Sequence, residues 1–297
     1  MEQELKEALR QIELLGSGIV IKPEPIEYIP SGFKTLNKVL GGGYPMGRIV
    51  EMYGNESGGK TTLALNAMAE AQKMGLNVCF IDAEHSYSKN YSATQGIDNK
   101  SLILLSPDSG EQVMDSIDIL SKSGKMGLVV VDSVANLVPI AELEKPMDKE
   151  SMGLQARMMS KGLRKITGIA SKNKVTIIFI NQLREKIGVM FANPEVTPGG
   201  KALKFYSSIR LSVRSTERLK DKDNAEYGFK MSVKIEKSKV GIAKQSCELI
   251  YLHGIGISKP HDTLYQMIEE GSVVKTGGWY EFKGKKYKGE KEILEVV

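Results

Sequence analysis

At 297 residues, 41% hydrophobic and 26% charged, the chain suffices for one large α/β domain with small appendages and has the balance of a soluble globular protein. No apolar stretch reaches the ~18 residues of a membrane span, and the polar start Met1-Glu2-Gln3-Glu4-Leu5-Lys6 is no signal peptide, so a cytoplasmic location is expected. The formal charge of +5 is uneven: residues 201–297 hold 19 Lys/Arg against 13 Asp/Glu, a basic third that fits a polyanion partner. Cys79 and Cys247 lie in apolar runs with no metal-ligand spacing, and His85, His253 and His261 are scattered; buried thiols are expected, and no zinc site.

Residues 1–15 place Leu5, Leu9, Ile12 and Leu15 at helical spacing, a short amphipathic helix ended by Gly16-Ser17-Gly18. Its apolar face needs a surface, in its own core or on a neighbouring subunit. After Pro23, Pro25 and Pro30, residues 31–40 predict a helix before Gly41-Gly42-Gly43. Strands and helices then alternate. Residues 78–81, 128–131 and 175–180 are apolar on both faces, as central parallel strands must be, with helical patterns at 61–74, 110–123 and 153–172. The prediction is an α/β fold, a mostly parallel sheet flanked by helices. Beyond residue 205 shorter alternating runs (207–213, 230–235, 247–252) read as an antiparallel extension on one edge, followed by a small basic appendage with Lys283, Lys285, Lys286 and Lys288.

Between the apolar run 49–53 and the helical pattern from Leu63 lies Gly54-Asn55-Glu56-Ser57-Gly58-Gly59-Lys60-Thr61-Thr62. Strand, glycine-rich turn and helix start in that order form a phosphate cradle (P-loop): glycines let backbone N–H groups close around phosphate oxygens, and the helix N-terminus adds partial positive charge. Gly54, Ser57, Gly58, Gly59, Lys60, Thr61 and Thr62 are the candidate nucleotide contacts, with Lys60 on the β/γ-phosphates and Thr61 on Mg²⁺. Asp132 ends the strand 128–131 and suits the Mg²⁺ partner. Hydrolysis of ATP needs a group that orients or deprotonates water; Glu84 is the better candidate, with Asp82 and His85 left open by spacing. Gln182, at the end of the next strand, is placed to sense the γ-phosphate.

Phe80-Ile81-Asp82-Ala83-Glu84-His85, Val130-Val131-Asp132-Ser133-Val134, Met152-Gly153-Leu154-Gln155-Ala156-Arg157-Met158-Met159-Ser160, Phe179-Ile180-Asn181-Gln182-Leu183-Arg184, Lys186 to Glu195 and Gly199 to Tyr206 together resemble the bacterial RecA recombinase family, continuously over roughly residues 30–256. The resemblance implies a RecA-type ATPase core at 30–256, an N-terminal oligomerisation segment at 1–29 and a shortened basic C-terminal domain at 257–297. It implies a DNA-dependent ATPase, using ATP and Mg²⁺, that forms a helical filament on single-stranded DNA and exchanges strands with homologous double-stranded DNA in recombination, repair and the DNA-damage (SOS) response. Glu84 matches the catalytic glutamate, Gln182 the residue coupling ATP state to DNA, and Tyr91 an aromatic that stacks on adenine. Lys237 and Lys239 match a pair that reaches the neighbouring subunit's ATP. A self-cleaving repressor is a further partner that the resemblance raises.

Two segments resemble the family's DNA-binding loops. The first, about 144–152, precedes the helix carrying Arg157, Ser160 and Arg164; the second is 183–200. Arg184, Lys186 and the backbone N–H groups of Gly199 and Gly200 suit phosphates, while Met152, Ile187 and Val189 suit insertion between bases. Lys201 and Pro198 replace the usual asparagine and threonine, adding charge and stiffness beside DNA, and Ser88 replaces an aspartate that bonds adenine, which weakens the expected base selectivity. Measured against the family pattern, Val297 falls short of much of the usual C-terminal domain and of its acidic tail, so readier loading on duplex is expected. Two readings compete: a hexameric helicase-like motor, distinguished by rings rather than filaments, and an ATP-switched DNA-binding mediator, distinguished by nucleotide-dependent binding without DNA-stimulated turnover.

Overall fold

The computed structural model describes residues 2–15, 25–146, 153–185 and 195–297. The main helices in chain order are α1 (Glu2–Leu14), α2 (Lys34–Leu40), α3 (Lys60–Lys73), α4 (Lys89–Thr94), α5 (Gly110–Lys122), α6 (Leu154–Lys172), α7 (Ala202–Tyr206), α8 (Lys259–Glu269) and α9 (Gly289–Leu294). The main strands are β1 (Ile49–Gly54), β2 (Asn77–Asp82), β3 (Ile103–Leu105), β4 (Met126–Asp132), β5 (Thr176–Gln182), β6 (Ile209–Lys220), β7 (Glu226–Ser238), β8 (Ser246–Leu252), β9 (Gly256–Ile257), β10 (Val273–Thr276), β11 (Trp279–Phe282) and β12 (Lys285–Lys288).

β1 to β9 form one sheet in the order β9-β8-β7-β6-β1-β5-β4-β2-β3. β6 pairs parallel with β1, and the pairings from there to β3 are parallel too; β6 to β9 are joined antiparallel. This is the mostly parallel sheet with an antiparallel extension that the sequence predicts. The apolar runs alternate between two cores. Val50, Phe80, Val130 and Ile178 face α2 and α3, whereas Cys79, Ile81, Val129, Val131, Ile177 and Phe179 face α5 and α6. α3 is lined almost all round by Leu63, Ala64, Leu65, Ala67, Met68 and Ala71; small side chains let it lie close on the sheet.

Three boundaries differ from the sequence reading. The helix expected within 31–40 begins at Lys34, because Ser31 Oγ turns back on the Phe33 backbone. The second and third differences are in β6 and β7, which run well past the alternating stretches 207–213 and 230–235. Their outer halves are solvated, and backbone pairing closed by a turn at 221–225 carries them on without an apolar face.

Residues 259–294 have a small core of their own, Leu264, Val273, Tyr280 and Ile293, where α8 and α9 cover the sheet β10-β11-β12. Asp262 ties this unit to the main domain: its buried carboxylate accepts from the N–H groups of Lys34 (2.7 Å) and Thr35 (3.2 Å) and from the Thr35 hydroxyl. A distant carboxylate thus caps α2, which has no side-chain cap of its own. Leu5 and Leu14 on α1, and Leu15 just after it, are exposed. Among the described residues no helix is long and apolar enough to cross a membrane.

Candidate nucleotide and DNA site

Strand register assembles the site. Gly54 pairs with Gln182 across β1 and β5, and Asp82 with Asp132 across β2 and β4, so the polar residues ending four parallel strands meet at one sheet edge, where such sheets present ligands. The chain leaves β1 at Gly54 and enters α3 after Gly59, whose φ of 86° lies in the left-handed region. Both glycines are obligatory: a Cβ at Gly54 would stand 1.8 Å from the Val213 carbonyl oxygen, and one at Gly59 2.7 Å from Met231 Sδ. No side chain caps α3, so its first-turn N–H groups face the loop, an arrangement suited to an anion.

Lys60 donates through Nζ to the carbonyls of Gly54 (3.1 Å) and Asn55 (2.6 Å). Burial pushes its pKa down, while the nearby charges of Asp132, Glu84 and Glu56 oppose that shift. Thr61 Oγ1 donates to Asp132 Oδ2 at 2.6 Å. Burial lifts the Asp132 carboxyl to about 6 against the Thr61 hydrogen bond, with the Glu84 charge adding to the rise. A buried carboxylate that resists ionisation, beside a threonine hydroxyl, fits a hard divalent cation with oxygen ligands; Thr61 and Asp132 would hold Mg²⁺, and Ser57 to Thr62 the phosphates.

Glu84 stands at the end of β2. Its Oε1 accepts from Gln182 Nε2 (3.0 Å) and from Ser133 Oγ (2.5 Å). The two open alternatives are engaged elsewhere: the Asp82 carboxylate receives the N–H groups of Ser86 and Tyr87, and His85 Nδ1 is on Ser106 Oγ at 2.8 Å. Of the three, Glu84 is the one bonded to Gln182, and its charge acts on both Lys60 and Asp132. Tyr91 also joins the site, its hydroxyl 2.7 Å from Thr62 Oγ1 and 3.1 Å from the Tyr251 hydroxyl. Ser88 Oγ accepts from the Tyr91 N–H as the cap of α4.

Lys237 and Lys239 are not brought to this cradle. Lys237 lies in the last paired stretch of β7, opposite Arg210, and Lys239 just beyond that strand, near the start of β6 and the opposite end of the sheet. Lys237 Nζ donates to the carbonyls of Lys204 (2.7 Å) and Phe205 (3.0 Å), and Lys239 Nζ to that of Phe205 (3.1 Å).

Of the expected DNA contacts, Met152, Lys186, Ile187 and Val189 lie outside the described residues. Arg157, Ser160 and Arg164 share one face of α6, with both arginines exposed, and Arg184 is exposed where the second loop begins. Gly199 and Gly200 have φ of 83° and 74° and pack against α6, where a Cβ at Gly200 would be 2.8 Å from that of Ala156. The expectation that both glycine N–H groups are available to phosphates needs correction. That of Gly199 donates to Gln155 Oε1 at 3.1 Å, a consequence of the close packing, and Gly200 keeps the open position. Lys201, Lys204, Arg210, Arg214 and Lys234 line a cleft of about 830 Å³ beside this limb, with Arg214 paired to Glu195 at 2.6 and 2.8 Å.

Sequence reasoning gave no part to Ser133, Tyr251 or Gln155. Ser133 follows the strand-end carboxylate directly, a position whose signal is its adjacency to Asp132. Tyr251 and Gln155 enter through tertiary packing and carry no local signal. Phe229 stacks on Tyr251 at 4.6 Å between centroids, and with Arg218 and His253 they wall the cleft of about 570 Å³ that holds the cradle.

Together the fold and this edge define a P-loop ATPase of the doubly wound α/β type. The profile of the RecA N-terminal domain matches residues 3–258. The chain is 49% identical over 286 residues to protein RecA of Acholeplasma laidlawii, covering 94% of this chain and 86% of that one. It is 50% identical over 290 residues to protein RecA of Streptomyces coelicolor, covering 95% and 77%. The crystal structure of the RadB recombinase superposes with a TM-score of 0.59 at 22% identity, over 77% of this chain and 98% of that one, a likeness of fold. The chain belongs to the RecA family.

Proposed function

We propose that this chain is a DNA-dependent ATPase and homologous recombinase, which forms helical filaments on single-stranded DNA and catalyses pairing and strand exchange with homologous duplex in recombination and repair. Family membership supports the recombinase activity and ATP binding. In this reading residues 30–256 are the ATPase core and 257–297 a basic C-terminal unit. Lys60 and the cradle glycines bind the triphosphate, Tyr91 the base, and Thr61 and Asp132 hold Mg²⁺, which when bound supplies charge neutralisation at the phosphates. Glu84 orients and deprotonates the attacking water. Gln182 exchanges its Glu84 partner for the nucleotide and so reports occupancy to the segment 183–200 behind it. Arg157, Ser160, Arg164, Arg184, Gly200 and Lys201 contact the strand, and Lys237 and Lys239 act on a neighbour's nucleotide.

The observation that carries this reading is the 3.0 Å bond from Gln182 to Glu84. It links the water-activating carboxylate to the residue from which the DNA-loop segment departs, so DNA and hydrolysis share one hydrogen-bonded pair. The experiment is ATP turnover with and without single-stranded DNA, run beside a strand-exchange assay. Turnover that rises with DNA, together with exchanged product, is expected; DNA-independent turnover and no exchange would overturn the proposal.

A further inference from the structure

Glu84 has two hydrogen-bond donors on one oxygen and none on the other among the described residues: Gln182 Nε2 at 3.0 Å and Ser133 Oγ at 2.5 Å both address Oε1. A carboxylate pinned through one oxygen keeps the lone pairs of the second free to accept a proton or a water. The two donors are mounted differently. Gln182 reaches over on a flexible side chain, half-buried, at the last residue of β5. Ser133 is fully buried, one residue beyond β4, and its hydroxyl sits on a single rotatable bond from that backbone. Its other neighbour, Asn136 Oδ1 at 3.3 Å, is farther away and an acceptor, so the one hydroxyl proton goes to the carboxylate.

We infer that Ser133 is the positioning residue of the water-activating glutamate: it holds Glu84 Oε1 in place when Gln182 leaves for the nucleotide, and Oε2 stays aimed at the water. This rests on the assignment of Glu84 made above. Without the hydroxyl, departure of Gln182 would free Glu84 to rotate, just when orientation matters. A hydrogen bond to a charged group at the reacting centre corresponds to a loss of about tenfold to a hundredfold in rate when removed.

The test measures DNA-stimulated ATP turnover for Ser133→Ala, Ser133→Thr and Ser133→Cys, each also combined with Glu84→Ala, with nucleotide affinity followed by a fluorescent ATP analogue. Expected for Ser133→Ala is a kcat about tenfold or more below wild type with KM and nucleotide affinity within about twofold. Ser133→Thr, which keeps the hydroxyl, should restore most of the rate, and Ser133→Cys, a weak donor of similar size, should fall between. In the Glu84→Ala background the serine substitution should add nothing, since the group it positions is gone. Full turnover by Ser133→Ala, or the same fold loss with and without Glu84, would overturn the inference. Full turnover by Glu84→Ala would instead bring down the assignment it rests on. If Ser133→Ala fails to bind nucleotide, Ser133→Cys decides in the same way: a drop confined to kcat supports positioning, and wild-type kcat rejects it.

Discussion

Asp132 shows how far the site is built for a ligand rather than for stability. In the folded chain burial holds its carboxyl proton to about pH 6, whereas the unfolded chain releases it near 3.8. Between those values the native state binds more protons, so stability falls as pH rises through the window and the cost is complete above it. Asp132→Asn should therefore stabilise the Mg²⁺-free protein at pH 8, by up to about 3 kcal/mol of unfolding free energy, and so raise its Tm, with the gain shrinking toward pH 4. The same variant should lose ATP turnover, and Tm against pH for both proteins checks the sign. Lys60→Ala should abolish nucleotide binding, because the cradle loses its ammonium. Glu84→Ala should bind ATP and form filaments but turn over at least about a hundredfold more slowly, a separation between binding and chemistry that single-turnover kinetics and electron microscopy read directly.

At the scale of elements, the β5–α7 region matters most. Asn181 Nδ2 donates both to Glu51 (3.1 Å) and to the Pro198 carbonyl (3.2 Å), and Gln155 holds Gly199. Glu51 is itself fully buried against Arg210 at 2.5 Å. Residues 198–199, on the return limb of the segment proposed to bind DNA, are thus anchored on the central sheet and α6. The helix-capping link from Asp262 to α2 is a second such device. Asp262→Ala should cost about 0.5–2 kcal/mol, read as a lower urea midpoint with faster amide exchange at Lys34 and Thr35, and should leave ATP turnover intact. In the C-terminal unit Lys285, Lys286 and Lys288 belong to β12, Lys283 lies 4.9 Å over the Phe282 ring, and Trp279 is half-exposed. Reversing these four charges should weaken duplex binding and flatten its salt dependence; an unchanged salt slope would remove them from the DNA surface.

For the whole molecule, the cradle and the Lys237/Lys239 pair lie at opposite ends of one sheet, an arrangement that suits head-to-tail assembly. Mixing Glu84→Ala with Lys237→Ala tests this without new contacts. If lysines act across the interface, equal mixtures should regain turnover at about one quarter of sites, where an intact cradle meets an intact lysine pair. Additive, near-zero activity in the mixture would place both groups in one subunit.

Much was legible in order of residues. Continuous apolar runs and the glycine-rich turn at 54–62 determine the alternating strands and helices and the cradle, because burial on both sheet faces and a left-handed turn at Gly59 permit few other side chains. Lys60, Thr61, Glu84, Asp132 and Gln182 follow, since each ends or follows a recognisable strand. What the chain order cannot specify is partnership across the sheet. Register alone sets Gly54 beside Gln182 and Asp82 beside Asp132. Packing alone engages Asp82 with its own turn, occupies the Gly199 amide and turns Ser133 onto Glu84. Apart from the local Asp82 turn, those choices join residues some 44 to 128 positions apart, which only the closed fold brings together.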